Sequence, residues 1–205
     1  MNKRSSCIAT ALLILGSTNV NAASSTDLSV TGKITPSACV PQLSNGGVVD
    51  YGKISIKDVT SKPLQPVAVQ LSVNCDASTF FAVKVTDNRE GTQSDNSRSS
   101  FGLGLGENNH KLGIYQLSMA NALADGVVHP IVESFDGRSW FVISPGHIWQ
   151  PGWMRTINAP GHDYAPIAMQ KFTTDVVVTT TINKPRVLTA ETALDGSATL
   201  DIVYL

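Results

Sequence analysis

Residues 67–75 read VAVQLSVNC, and their pattern decides the fold class. Val67, Val69, Leu71, Val73 and Cys75 take every odd position, with Ala68, Gln70, Ser72 and Asn74 between them. A period of two places the apolar set on one face of a strand and the polar set on the other. After a turn expected at Asp76-Ala77-Ser78, the alternation continues through Phe81, Val83 and Val85. Tyr115, Leu117 and Met119 form another such face. The segments 131–135 and 139–143 flank Asp136-Gly137, a hairpin signal. Phe172, Thr174, Val176, Val178, Thr180 and Ile182 make one more face, and Ala198, Leu200, Ile202 and Tyr204 close the chain. Many short alternating strands at this spacing predict an all-β sandwich.

Three stretches break the pattern. MANALA (residues 119–124) is the one place that admits a short helix. Thr86 to Ser100 is polar and turn-rich, and reads as an exposed loop. Ser144 to Pro166 carries Pro145, Pro151, Pro160 and Pro166 with Gly146, Gly152 and Gly161, a density that argues against regular central strands there.

Composition narrows the function classes. The 205 residues carry 15 Lys and Arg against 16 Asp and Glu, a formal net charge of −1. With no basic excess, nucleic acid is not an expected partner. Charged residues are 15%, below the roughly 25% usual for soluble proteins. Ser, Thr and Asn supply polarity instead, as suits solvent-facing strand positions.

The first 22 residues answer to export. Lys3 and Arg4 form a positive start, Ile8 to Gly16 an apolar core, and Val20-Asn21-Ala22 a small-residue cleavage site. That core is too short to span a bilayer, and no other segment approaches a spanning length. Cleavage leaves roughly 180 residues, the size of one domain. Cys7 departs with the signal, so the mature chain keeps Cys39 and Cys75 in an oxidising compartment. A disulfide is the expected outcome. A two-cysteine metal site would need nearby His or further Cys at ligand spacing, which is lacking.

Residues 27–39, just past the cleavage site, read DLSVTGKITPSAC. Leu28, Val30 and Ile34 alternate as in a half-buried strand, with Gly32 where the next apolar side chain belongs. Taken with Asn74-Cys75-Asp76 and the closing Ala198, Leu200, Ile202 and Tyr204, this segment resembles the corresponding parts of chaperone–usher pilus subunits. The nearest likeness is to the fimbrial-like exported proteins of Gram-negative bacteria. Two features depart from that pattern. Thr192 stands where pilins often carry a glycine, the nearest being Gly196, and the mature chain is longer than an ordinary pilin.

The resemblance implies an immunoglobulin-like sandwich that lacks its final strand. It divides the chain into a signal peptide (1–22), a donor-strand extension (23–35) and a single sandwich domain (36–205). Leu28, Val30, Gly32 and Ile34 would be donated to a neighbouring subunit, with Gly32 allowing close approach where the groove is shallow. Ala198, Leu200, Ile202, Tyr204 and the Leu205 carboxylate would pair with a periplasmic chaperone. The implied partners are that chaperone, an outer-membrane usher and neighbouring pilin-like subunits. The implied location is a cell-surface or extracellular fimbria reached through the periplasm, or the periplasm itself without assembly. A subunit with its own donor strand is a shaft, minor or adaptor component.

A second reading comes from another class: a self-contained periplasmic or secreted β-sandwich that binds carbohydrate or another ligand through residues 140–166. Trp140, Trp149, Trp153 and Tyr164 form its candidate surface, for a host or surface glycan. The opposing reading is that these rings pack the end of the sandwich. No enzyme is expected. His110, His129, His147 and His162 show no paired ligand spacing, and Asp163 beside His162 has no further partner. FGLGLG (101–106) lacks the dinucleotide fingerprint and reads as a glycine-rich strand. The acidic loop 87–95 does not fit a calcium loop, and no nucleophile elbow is present. Accordingly, no cofactor, metal or catalytic residue is assigned.

Overall fold

A computed structural model of the chain describes residues 29, 31, 38–161, 164–185 and 189–205. The described strands lie in the unit Thr35–Leu205. In chain order they begin with β1 (Cys39–Leu43), β2 (Val67–Thr79), β3 (Phe81–Asp87), β4 (Phe101–Gly102) and β5 (Gly113–Ala124). Four short strands follow: β6 (Val127–Val128), β7 (Ile131–Ser134), β8 (Phe141–Val142) and β9 (Ile148–Trp149). The last are β10 (Met154–Ile157), β11 (Met169–Ile182) and β12 (Ala198–Tyr204).

They form two antiparallel sheets. The first runs β1-β2-β11-β5-β4, with β6 and β9 also paired to β5. The second runs β12-β3-β10-β7-β8. The core between them is built from the faces that alternation marks out, including Leu71, Val73, Val83, Val85, Leu117, Met119, Phe172 and Val176. A smaller cluster joins Ala82, Val132, Met154 and Trp140. Both Val83 and Ala82 of β3 are therefore buried, each in a different cluster.

Cys39 and Cys75 face each other across the β1–β2 ladder and are joined by the expected disulfide. The hairpin at Asp136-Gly137 forms between β7 and β8. Its turn is tied by the Asp136 carboxylate, which accepts from the Arg138 and Ser139 N–H groups at 2.8 Å each.

Three expectations are corrected. No turn interrupts 76–78. Strand β2 runs on to Thr79, and after Phe80 the chain enters the other sheet. MANALA is strand, the end of β5, and a bulge explains its helical look. Thr173 pairs with Leu123 and Asp175 with Ala120, so β5 carries one extra residue between these pairs. Asn121 sits there at φ 54°, and its side-chain amide donates to Asp175 at 2.7 Å. The buried phase shifts from Met119 to Ala122 across the bulge, a spacing of three that imitates a helix. Finally, the Pro/Gly-rich stretch does hold a central strand. β10 lies between Pro151 and Pro160, is paired on both sides, and buries all four residues. Prolines excluded from the ladder itself do not prevent a short strand between them.

Candidate functional site

The two sheets close everywhere except along one seam, between β1 of the first sheet and β12 of the second. Each is an end strand with one paired neighbour. Their inward side chains show the consequence. Cys39, Leu43, Ala198, Leu200 and Ile202 pack against the core but remain only half-buried, whereas Val73 and Phe81 on the adjoining strands are fully buried. A groove of about 270 Å³ follows the seam. Its lining is mainly aliphatic, with Leu43, Val69, Leu117, Val176, Val178, Ala198 and Leu200 among it. A second recess of about 640 Å³ adjoins it and shares Val49, Tyr51 and Leu194.

The backbone along the seam is unequal on its two sides. Asn88 N–H donates to Ser197 O at 2.9 Å and Leu205 N–H to Phe80 O at 3.1 Å, so the odd-numbered residues of β12 bond to β3. Strand alternation turns the N–H and C=O groups of Ala198, Leu200, Ile202 and Tyr204 towards the seam. On β1, Asp76 N–H donates to Ala38 O at 3.0 Å, which turns Cys39, Pro41 and Leu43 to the seam. Pro41 has no N–H. The Cys39 N–H is already held by the Tyr204 hydroxyl at 3.0 Å. The β12 edge can therefore extend a ladder and the β1 edge is a poor template for one.

Both ends of β12 are anchored. At the disulfide end stands the Tyr204–Cys39 bond. At the other, Asp195 accepts two 2.8 Å bonds from the Arg89 guanidinium, which hold its carboxyl below the usual range. Asn88 adds bonds of 3.0 Å to Ser197 and to Thr199. Beneath this end lies Tyr115, stacked on Phe101 at 5.1 Å. Burial, and then the charge of Asp87, push its hydroxyl well above the ordinary tyrosine range.

Of the residues singled out from sequence, Ala198 and Leu200 line the groove, Ile202 packs beside it, and Tyr204 and Leu205 end it. Leu28, Val30, Gly32 and Ile34 lie outside the described residues. Sequence reasoning missed Val49 and Tyr51. They belong to an irregular segment without periodicity, held over β11 by Tyr51 Oη to Thr180 Oγ1 at 3.1 Å and Leu64 N–H to Thr180 O at 2.7 Å.

The four aromatic residues assigned to a ligand surface do not share one. Trp149 is fully buried between the sheets, with the Arg155 guanidinium 5.2 Å from its ring, and Trp140 closes the smaller cluster. Trp153 is half-exposed, but its neighbours are Phe135 and Phe141, at ring distances of 5.6 and 6.1 Å. Tyr164 is exposed in a loop at φ 62°. His162 and Asp163 lie outside the described residues. Among the described residues, no three His, Cys, Asp or Glu side chains are grouped to hold a metal ion. None of the helices among them is long and apolar enough to cross a membrane.

Comparison with known proteins places residues 28–100 in a match to a family described as a protein of unknown function (DUF1120). The matched span takes in both half-cystines and β1 to β3. Over 226 aligned residues the chain is 24% identical to protein GltF of Escherichia coli (strain K12), covering 88% of each. It is also 24% identical over 234 residues to the uncharacterized protein YhcF of the same strain, covering 95% of this chain and 98% of that one.

Proposed function

We propose that this chain is an exported structural subunit of a surface fimbria, assembled by chaperone-assisted donor-strand exchange. One observation carries the reading: an open, aliphatic groove beside β12, whose outer edge has no strand partner among the described residues. On this reading the sandwich is immunoglobulin-like and short of one strand, and the seam is the place where that strand is missing. An extended segment with apolar residues at every second position fits such a groove. The segment Leu28 to Ile34 has that alternation. Full burial of Leu28, Val30 and Ile34 would contribute roughly 1.5–3 kcal/mol each. Each ladder bond to β12 would add about 1 kcal/mol net.

The chaperone, the usher and the neighbouring subunit are then successive partners of one surface. The chaperone covers the β12 edge, the usher receives the complex, and the next subunit's 28–34 segment replaces the chaperone strand. A synthetic peptide of residues 27–37 tests the reading when titrated against the purified exported protein carrying a deletion of residues 23–34. Saturable binding that Leu200→Asp abolishes is expected, together with loss of fibre extension by the deletion variant in cells. A peptide that fails to bind, or a deletion variant that still polymerises, would sink the proposal.

A further inference from the structure

A second surface lies at the other edge of the second sheet, remote in the strand order from β12. There the β7–β8 hairpin and the residue preceding β10 bring Phe135, Phe141 and Trp153 together. Phe135 is 57% exposed and Phe141 37%, although both are large aromatics that would ordinarily be buried. Their rings stand 5.6 and 6.1 Å from that of Trp153, tilted by 51° and 49°. The cluster is an open, faceted apolar platform rather than a packed core.

The rim carries hydrogen-bonding groups with no protein partner. Oδ1 of Asp136 accepts all three of its bonds, from Ser134 Oγ and the N–H groups of Arg138 and Ser139, which leaves Oδ2 free. Those bonds also hold the carboxyl below its ordinary range, so it is ionised and accepts only. The Arg138 guanidinium and the Trp153 indole N–H make no bond within the described chain, whereas the Trp149 indole N–H is used by Trp153 O at 3.1 Å. The turn is seated beside the platform, because a Cβ at Gly137 would stand 3.3 Å from Met154 Cε.

We propose that Phe135, Phe141 and Trp153, with Asp136 and Arg138, form a carbohydrate-binding site for a neutral hexopyranose. The C–H face of a pyranose is apolar and stacks on aromatic rings, while its hydroxyls need fixed acceptors and donors around the edge. A carboxylate oxygen, a guanidinium and an indole N–H supply them. A protein partner fits less well. Stable protein interfaces bury about 800 Å² on each side and shed charge from their centres. Here three rings are bordered at once by solvated charges of opposite sign. The site is independent of the seam and of the function proposed for it.

The purified exported protein, applied to immobilised hexose-containing oligosaccharides, should retain at least one glycan. Phe135→Ala and Asp136→Asn should each weaken that binding about tenfold or more, since each removes one face or one charged acceptor. Asp136→Asn keeps Oδ1 for the turn, and both variants should melt as the wild type does. Tyr164→Ala should bind as the wild type. Adding the retained glycan should shift the Trp153 indole N–H resonance. Binding to no glycan, or glycan binding indifferent to both variants, overturns the assignment. So does self-association that Phe135→Ala abolishes, which would make the platform a contact between copies of this chain.

Discussion

The Tyr204 hydroxyl accepts a hydrogen bond of 3.0 Å from the Cys39 N–H, joining residues 165 positions apart and bridging the free edges of the two sheets. It is the one printed contact that ties β12 directly to β1, and it sits beside the disulfide. Tyr204→Phe should cost roughly 0.5–1.5 kcal/mol, the ordinary net worth of a hydrogen bond. Amide exchange checks the geometry: the Cys39 N–H should exchange faster, while Leu71 and Val73 in the core should keep their protection. Unchanged exchange at Cys39 would show that the bridge does not form in solution.

The Cys39–Cys75 bond closes a separation of 36 residues and clamps β1 to β2. In the chain-entropy account a loop of that size is worth roughly 4 kcal/mol. Reduction, or Cys39→Ser with Cys75→Ser, should lower the unfolding free energy by about that amount in a urea titration. The loss should fall on β1 first, because β1 has no other strand neighbour.

Glu133 and Arg155 form an ion pair at 2.7 Å in which both side chains are almost entirely buried. Burial pulls the Arg155 guanidinium below its ordinary value, and Glu133 pulls it back. Glu133→Gln should be destabilising by on the order of 3–5 kcal/mol, because it leaves a cation without its counter-ion in the interior. The double variant Glu133→Leu with Arg155→Met should recover most of that loss. A double-mutant cycle measured by denaturant unfolding reads the coupling.

The Asp136 carboxyl is held below its ordinary value first by the Ser139 N–H and then by the Arg138 N–H. A depressed folded value means that the contribution is complete above the unfolded value of about 3.9. It is lost as pH falls through the lower folded value. The hairpin should therefore loosen only under acid. Thermal melts across that range should show a pH dependence that Asp136→Asn reduces, and chemical shifts of Ser139 should report the same titration.

The strands and much of the core were legible in sequence wherever a strand has one wet face. The faces 67–75, 115–119 and 172–182 became β2, β5 and β11 because alternation and burial coincide there. Alternation failed where burial was two-sided or out of phase. In β10 every residue is covered, so no period is visible, and at Asn121 a bulge inverts the phase. The tryptophans were hard to place for a related reason. Indole rings serve as core or as platform, and only the sheet around them decides which. Trp149 is enclosed and Trp153 is shared with two phenylalanines from a different hairpin.

By itself, the sequence determined the all-β class, the disulfide and the positions of the last strand and its inward residues, because each follows from local period or from cysteine count. Tertiary structure alone decided that β1 and β12 would meet as free edges of opposite sheets, and that residues from positions 43 to 200 would line one groove between them. A strand's period states which face is apolar. It does not state which strands become neighbours, and an unfilled position exists only once all the neighbours are in place.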